Sequence, residues 1–147
     1  MKLFNREKHE NIIIAGCGNF GTKIASVFAA KNDNVTIIDI KEQSLPAIAN
    51  AYNYYAIEGD ATDLDTLEYA GIKTADLLIA ATNDDNTNIM IAKIAKEYYR
   101  VNQVITRIED TSKEAAYNKT GIIAICPLDL SLNELQHILI KEKELIK

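Results

Sequence analysis

The stretch that decides the fold is Ile12-Ile13-Ile14-Ala15-Gly16-Cys17-Gly18-Asn19-Phe20-Gly21, followed eighteen positions later by Asp39 at the end of Val35-Thr36-Ile37-Ile38. An apolar run reads as a buried strand, the GxGxxG after it as a tight turn, and the residues beyond as a helix. Gly16 permits the strand-to-helix turn, Gly18 lets the backbone approach a pyrophosphate, and Gly21 lets the helix sit close on the sheet. The helix opening near Asn19 directs free N–H groups and a positive dipole end toward phosphate. A carboxylate at Asp39 accepts hydrogen bonds from ribose hydroxyls and repels a 2′-phosphate, which favours NAD or an adenine nucleotide over NADP. The competing reading is a glycine turn of purely structural use.

The same alternation runs through the rest of the chain. Strands are predicted near 11–15, 35–39, 53–57, 76–81, 102–107 and 122–125. Helices are predicted near 19–31, 42–50, 63–70, 84–98, 111–119 and 131–145. The strands are continuous apolar runs, such as Leu77-Leu78-Ile79-Ala80-Ala81, as in a parallel sheet covered on both faces. The pattern predicts an α/β fold: a Rossmann-type doubly wound parallel sheet of six strands, order 3-2-1-4-5-6, with a C-terminal crossover helix. Residues 1–10 read as a polar lead, 11–130 as the nucleotide-binding domain and 131–147 as the terminal helix.

Composition narrows the function classes. The 147 residues are 48% hydrophobic and 25% charged, with a net charge of −5; this is a single globular domain without the basic face that nucleic-acid binding requires. No apolar run approaches the roughly 20 residues that span a bilayer, and Met1–Asn11 has no hydrophobic signal core. The expected location is cytoplasmic, with no direct membrane insertion. Cys17 and Cys126 lack metal-ligand spacing. Cys17 is either a small residue suited to the turn or a redox-active thiol whose pKa is lowered at a helix N-terminus. His9 and His137 lie in polar terminal segments without a catalytic setting.

In a doubly wound sheet, ligands bind at the carboxyl ends of the strands around the point where strand order reverses. That rule gathers the candidate cofactor-binding residues: Gly16, Cys17, Gly18, Asn19, Phe20 and Gly21 after the first strand; Asp39, Ile40 and Lys41 after the second; Asp60, Ala61 and Thr62 after the third; Ala81, Thr82 and Asn83 after the fourth; and Arg107 after the fifth. Arg107 either meets phosphate charge bidentately or forms a surface salt bridge. Thr62-Asp63 and Thr82-Asn83 are helix N-cap candidates, and Asp65, Asp84 and Asp85 complement helix dipoles. No catalytic or metal-binding residues are assigned.

In order and spacing, Gly16–Gly21, Asp39, Gly59-Asp60-Ala61-Thr62-Asp63, Ala70-Gly71-Ile72, Ala80-Ala81-Thr82-Asn83-Asp84-Asp85-Asn86 and the segment from Gly121 to Pro127 resemble the nucleotide-binding domain of the Trk/Ktr potassium-uptake regulators, the KTN, RCK N-terminal or TrkA-N domain. The resemblance covers residues from about 10 to 137. It implies a cytosolic gating subunit that binds NAD(H) or ATP/ADP, assembles as a homodimer or higher ring, and acts on a membrane-embedded potassium transporter or channel. It also implies that the terminal helix crosses to a neighbouring subunit; the alternative is that it covers its own sheet. Three features depart from the family pattern. Asn19 stands where Arg or Lys often reaches the distal phosphates, Leu128 stands where metal-binding members carry Glu, and the smaller C-terminal domain does not lie within residues 1–147. A different class remains beside it, the cofactor-binding domain of an NAD-dependent oxidoreductase. That reading requires a substrate site with an acid/base group beside the nicotinamide, for which a chain filled by the Rossmann unit has little room.

Overall fold

The computed structural model describes residues 9–41 and 54–145; the helix expected over 42–50 and the strand start expected at 53 lie outside the described residues. Six strands, β1 (Asn11–Ala15), β2 (Asn34–Asp39), β3 (Tyr54–Glu58), β4 (Leu77–Ala80), β5 (Gln103–Arg107) and β6 (Ile123–Ile125), form one sheet. Their order is β3-β2-β1-β4-β5-β6 and every pairing is parallel. This is the predicted doubly wound sheet, and chain order reverses between β1 and β4. In register, Ile14 lies between Ile37 and Ile79, and Ala15 between Ile38 and Ala80.

The period-2 pleat splits each apolar run between two cores. Ile12 and Ile14 join Val35, Ile37, Leu77 and Ile79 on one face, beneath helix α1 (Asn19–Ala29) with Ala25, Phe20, Ile24 and Phe28. Ile13 and Ala15 join Ile38, Leu78 and Ala80 on the other, beneath α2 (Leu64–Tyr69) and α3 (Asp85–Lys93). Central β4 is buried at all four positions, whereas edge strand β3 is only partly buried. That difference is why β4 carries no polar residue.

Three element boundaries differ from the sequence reading. The helix expected over 84–98 is α-helical only to Lys93 and continues as a π-helical turn over Ile94–Tyr98; Arg100, with φ of 58°, then redirects the chain into β5. Residues expected as a helix over 111–119 form 3₁₀ turns over Thr111–Tyr117, capped by Asp110, whose carboxylate accepts from the Ser112 N–H. The buried Tyr117 anchors them, its hydroxyl 3.3 Å from Thr106 Oγ1. The final helix α4 spans Pro127–Leu145 rather than starting at 131, because proline suits a first helical position. Every described side chain from Leu128 to Glu144 on α4 is exposed, so this helix does not cover the sheet of its own domain. No helix among the described residues is long and apolar enough to cross a membrane.

Candidate functional site

The carboxyl ends of β1 to β4 surround a cleft of about 710 Å³, within the range of ligand-binding pockets. Gly16 begins its floor. Its φ of 111° suits glycine alone, and a Cβ there would lie 2.5 Å from the Ala81 carbonyl oxygen. Gly21 is equally constrained, since its Cβ would overlap the Gly16 carbonyl oxygen. Gly18 is different. It has extended backbone with φ of −73°, and a Cβ would meet only Asn83 Oδ1, at 3.7 Å. Two of the three glycines are therefore required by the fold, and the third leaves space open toward the cleft. No side chain caps α1, and no acid stands in its first turn, so the helix itself supplies no counter-charge to its N-terminal dipole end.

Asp39, at the end of β2, braces this loop. Its Oδ2 accepts the Cys17 N–H at 2.7 Å and its Oδ1 accepts the Lys41 N–H at 2.8 Å. Each carboxylate oxygen keeps further acceptor capacity. Burial, reinforced by the Asp39 charge, pushes the Cys17 thiol up to about 11, opposite to the lowering expected of a redox-active cysteine at a helix N-terminus. Cys17 is a small buried residue of the turn. On the third strand's loop, Asp60 Oδ1 accepts from the Thr62 hydroxyl at 2.7 Å and the Thr62 N–H at 2.8 Å; the hydroxyl bond, then the amide bond, hold its carboxyl below the usual range.

The loop after β4 is held by a residue that sequence patterning gave no reason to single out. Asn88, fully buried on α3, accepts from the Thr82 N–H at 2.9 Å and the Thr82 hydroxyl at 2.7 Å. It donates to the Thr82 carbonyl at 3.1 Å and the Arg107 carbonyl at 3.0 Å, tying the ends of β4 and β5 together. The N-caps are Asp63, accepting from Asp65 N–H, and Asp84, accepting from Thr87 N–H at 2.7 Å; Thr82 and Asn83 cap nothing. Asp85, nearly buried, accepts the Glu109 N–H at 2.9 Å and the Asp110 N–H at 2.9 Å.

Of the expected site residues, Gly16, Cys17, Gly18, Asp39, Ile40, Lys41, Asp60, Ala61, Thr62, Ala81, Thr82 and Asn83 line the cleft. Asn19, Phe20, Gly21 and Arg107 do not. Arg107 stands beside it, donating from Nη1 to the Thr82 carbonyl at 3.3 Å and Asn83 Oδ1 at 3.4 Å, with its guanidinium 5.8 Å from the Phe20 ring. Its Nη2 pairs with Glu109. The cleft also takes in Ile38, Gly59 and Asp84, together with Asn86, Thr87, Met90 and Ile91 of α3. The sequence signal for the α3 residues is their i, i+3, i+4 spacing, which puts Met90 beside Asn86 and Thr87 on one face. Among the described residues, no group of three or more His, Cys, Asp or Glu side chains is placed to hold a metal ion.

Residues 12–127 match the family model of the TrkA-N domain. A Trk system potassium uptake protein TrkA homolog from Pyrococcus abyssi is 32% identical over 135 residues, 88% of this chain and 60% of that protein. The Trk system potassium uptake protein TrkA of Streptomyces coelicolor is 29% identical over 125 residues, 85% of this chain and 56% of its own length. The chain thus spans little more than half the length of these relatives. Among solved structures, GsuK bound to ADP superposes with a TM-score of 0.75 at 26% identity, over 90% of this chain and 34% of that one.

Proposed function

This chain belongs to the TrkA-N domain family, and we propose that it is a nucleotide-sensing regulatory module of a potassium transport system, with no chemistry of its own. The ligand is an adenine nucleotide, NAD(H) or ATP/ADP. The observation that carries this reading is Gly18, which has ordinary backbone and open space where a side chain would stand, at the uncapped start of α1. A glycine without a conformational reason, at a free helix N-terminus, is explained by the close approach of a pyrophosphate. Asp39 supports it, because both carboxylate oxygens retain capacity for ribose hydroxyls beyond their bonds to the Cys17 and Lys41 amides. The relatives named as potassium uptake proteins and the ADP-bound neighbour point the same way.

The module acts from the cytoplasmic face on a membrane-embedded transporter or channel subunit. It self-assembles as a homodimer or larger ring through α4, whose Leu128, Leu132, Leu135, Ile138 and Leu139 are all exposed. A nucleotide shifts such an assembly only through different affinities for its two states, with a coupling typically of about 1–3 kcal/mol.

Thermal-shift titration with NAD⁺, NADH, ATP, ADP and NADP⁺ tests the ligand assignment. Binding to the native state raises the melting temperature by mass action, and the reading requires a rise with at least one adenine nucleotide that lacks a 2′-phosphate and little with NADP⁺. No rise with any of the five, at millimolar concentration, sinks it. Light scattering tests assembly: a dimer that becomes a monomer on replacing Leu135 and Ile138 with Glu is expected, while a parent chain already monomeric at micromolar concentration contradicts assembly through α4.

A further inference from the structure

We infer that Glu109 is a specificity-determining residue of the cleft, which occupies Arg107 and thereby sets the site against nucleoside triphosphates; this rests on the nucleotide-binding reading above. Arg107 is the strong cation on the α1 side of the cleft. Its guanidinium lies beside Phe20 in the first turn of α1 and reaches Asn83 Oδ1, the atom closest to the space above Gly18. In that position its free donors would meet the outer phosphates of a nucleotide whose pyrophosphate sits on the glycine loop. Those donors are committed unequally. The bonds from Nη1 are long, at 3.3 Å and 3.4 Å, and Nε is buried with no partner. The close partner is the Glu109 carboxylate on Nη2.

Glu109 is held there by its backbone. Its N–H donates to both oxygens of the nearly buried Asp85 carboxylate, at 2.9 Å and 3.1 Å, so the segment carrying Glu109 is fixed to the N-terminus of α3. The carboxylate itself is exposed to solvent while the guanidinium is largely covered. The charges lining the cleft itself are Asp39, Asp60 and Asp84 against Lys41, a net of two negative charges. With Arg107 neutralised by Glu109, each additional phosphate adds negative charge to a site already negative. The helix dipole then supplies the principal attraction, which is enough for a pyrophosphate but gives no gain to a third phosphate. Like-charge juxtaposition is an effective way to reject a competing ligand. Asn19, neutral at the start of α1, adds no cation that would offset it.

Glu109→Gln keeps the size and the hydrogen-bond acceptor while removing the charge. Titration calorimetry of the parent chain and this variant with AMP, ADP and ATP reads the effect directly. The parent is expected to bind ATP no more tightly than ADP. In Glu109→Gln, ATP affinity should rise about tenfold and AMP affinity change less than twofold, because the freed Arg107 meets only the outer phosphates. The rise should vanish when Arg107→Gln is added. A uniform change across the three nucleotides, or no change, overturns the inference, as does a rise that persists without Arg107. If the parent binds none of the three while NAD⁺ or NADH raises its melting temperature, the inference is overturned and the nucleotide reading stands; if no nucleotide binds at all, the nucleotide reading fails instead, which separates the two failures. Equal melting temperatures of parent and Glu109→Gln confirm that an exposed substitution left the fold intact.

Discussion

The Asp39 carboxylate at the end of β2 accepts the backbone N–H of Cys17 at 2.7 Å, so the acid expected to read a ribose also holds the glycine loop in place. Removing it has two consequences. Asp39→Ala should weaken NAD⁺ or ADP binding by about 1.5–3 kcal/mol, the scale of charged hydrogen bonds, and cost about 1–2 kcal/mol of stability through loss of the bond from the Cys17 N–H. Calorimetry and urea unfolding measure the two losses separately. Unchanged affinity in a folded variant contradicts the ribose assignment, and unchanged stability contradicts the bracing role.

Burial, reinforced by the same carboxylate, makes Cys17 a poor nucleophile. Its thiol lies at about 11 against an ordinary value of 9.0; below both values the thiolate fraction is about 100-fold lower, and only the thiolate reacts. At pH 8, iodoacetamide should therefore modify Cys126 well before Cys17, as followed by peptide mass spectrometry. Raising the pH toward 11 should bring Cys17 into reaction. Faster labelling of Cys17 than of a free thiol at pH 8 would show an activated cysteine instead.

Asn88 uses both ends of its amide, with four bonds to Thr82 and Arg107. Asn88→Leu keeps the volume but leaves the half-buried Thr82 N–H and the Thr82 and Arg107 carbonyls without this partner. The expected cost is at least about 3 kcal/mol of unfolding free energy, with nucleotide affinity falling alongside because Thr82 lines the cleft. A variant as stable as the parent in urea shows that water replaces the amide.

Gly16 and Gly21 should fail by folding rather than by binding. Gly16→Ala combines a φ of 111° with a Cβ 2.5 Å from the Ala81 carbonyl oxygen, and Gly21→Ala drives a methyl group into the Gly16 carbonyl. Each should cost about 2–4 kcal/mol. Melting temperatures equal to the parent's would mean that the loop moves freely to accept them.

The sheet was legible because its evidence is local and repeated: buried runs such as Ile12–Ala15 and Leu77–Ala80 alternate with amphipathic helices, and one strand order satisfies the short right-handed connections. Most of the cleft followed from that topology, since Asp39, Asp60, Thr82 and Asn83 each sit just past the end of a strand. The residues that escaped depend on tertiary partners. Asn88 reads in sequence as a polar residue on a solvent face, yet its side chain is committed to two strand ends nearby in space and distant along the chain. Residues 111–119 read as helix from the alternating pattern, but they fold as 3₁₀ turns over Thr111–Tyr117 with Tyr117 seated beside Thr106. Arg107 was open between a phosphate contact and a salt bridge; its partner Glu109 is positioned by Asp85, remote in sequence, which accepts the Glu109 and Asp110 amides.

The central claim is that the glycine-loop cleft binds an adenine nucleotide through close approach at Gly18, and calorimetric titration of ADP into the parent chain and Gly18→Val tests it most directly. With φ at −73° and no atom closer than 3.7 Å to the new Cβ, the variant should unfold within about 1 kcal/mol of the parent. The account predicts saturable ADP binding to the parent and none to the folded Gly18→Val. Equal ADP binding by both proteins would contradict it.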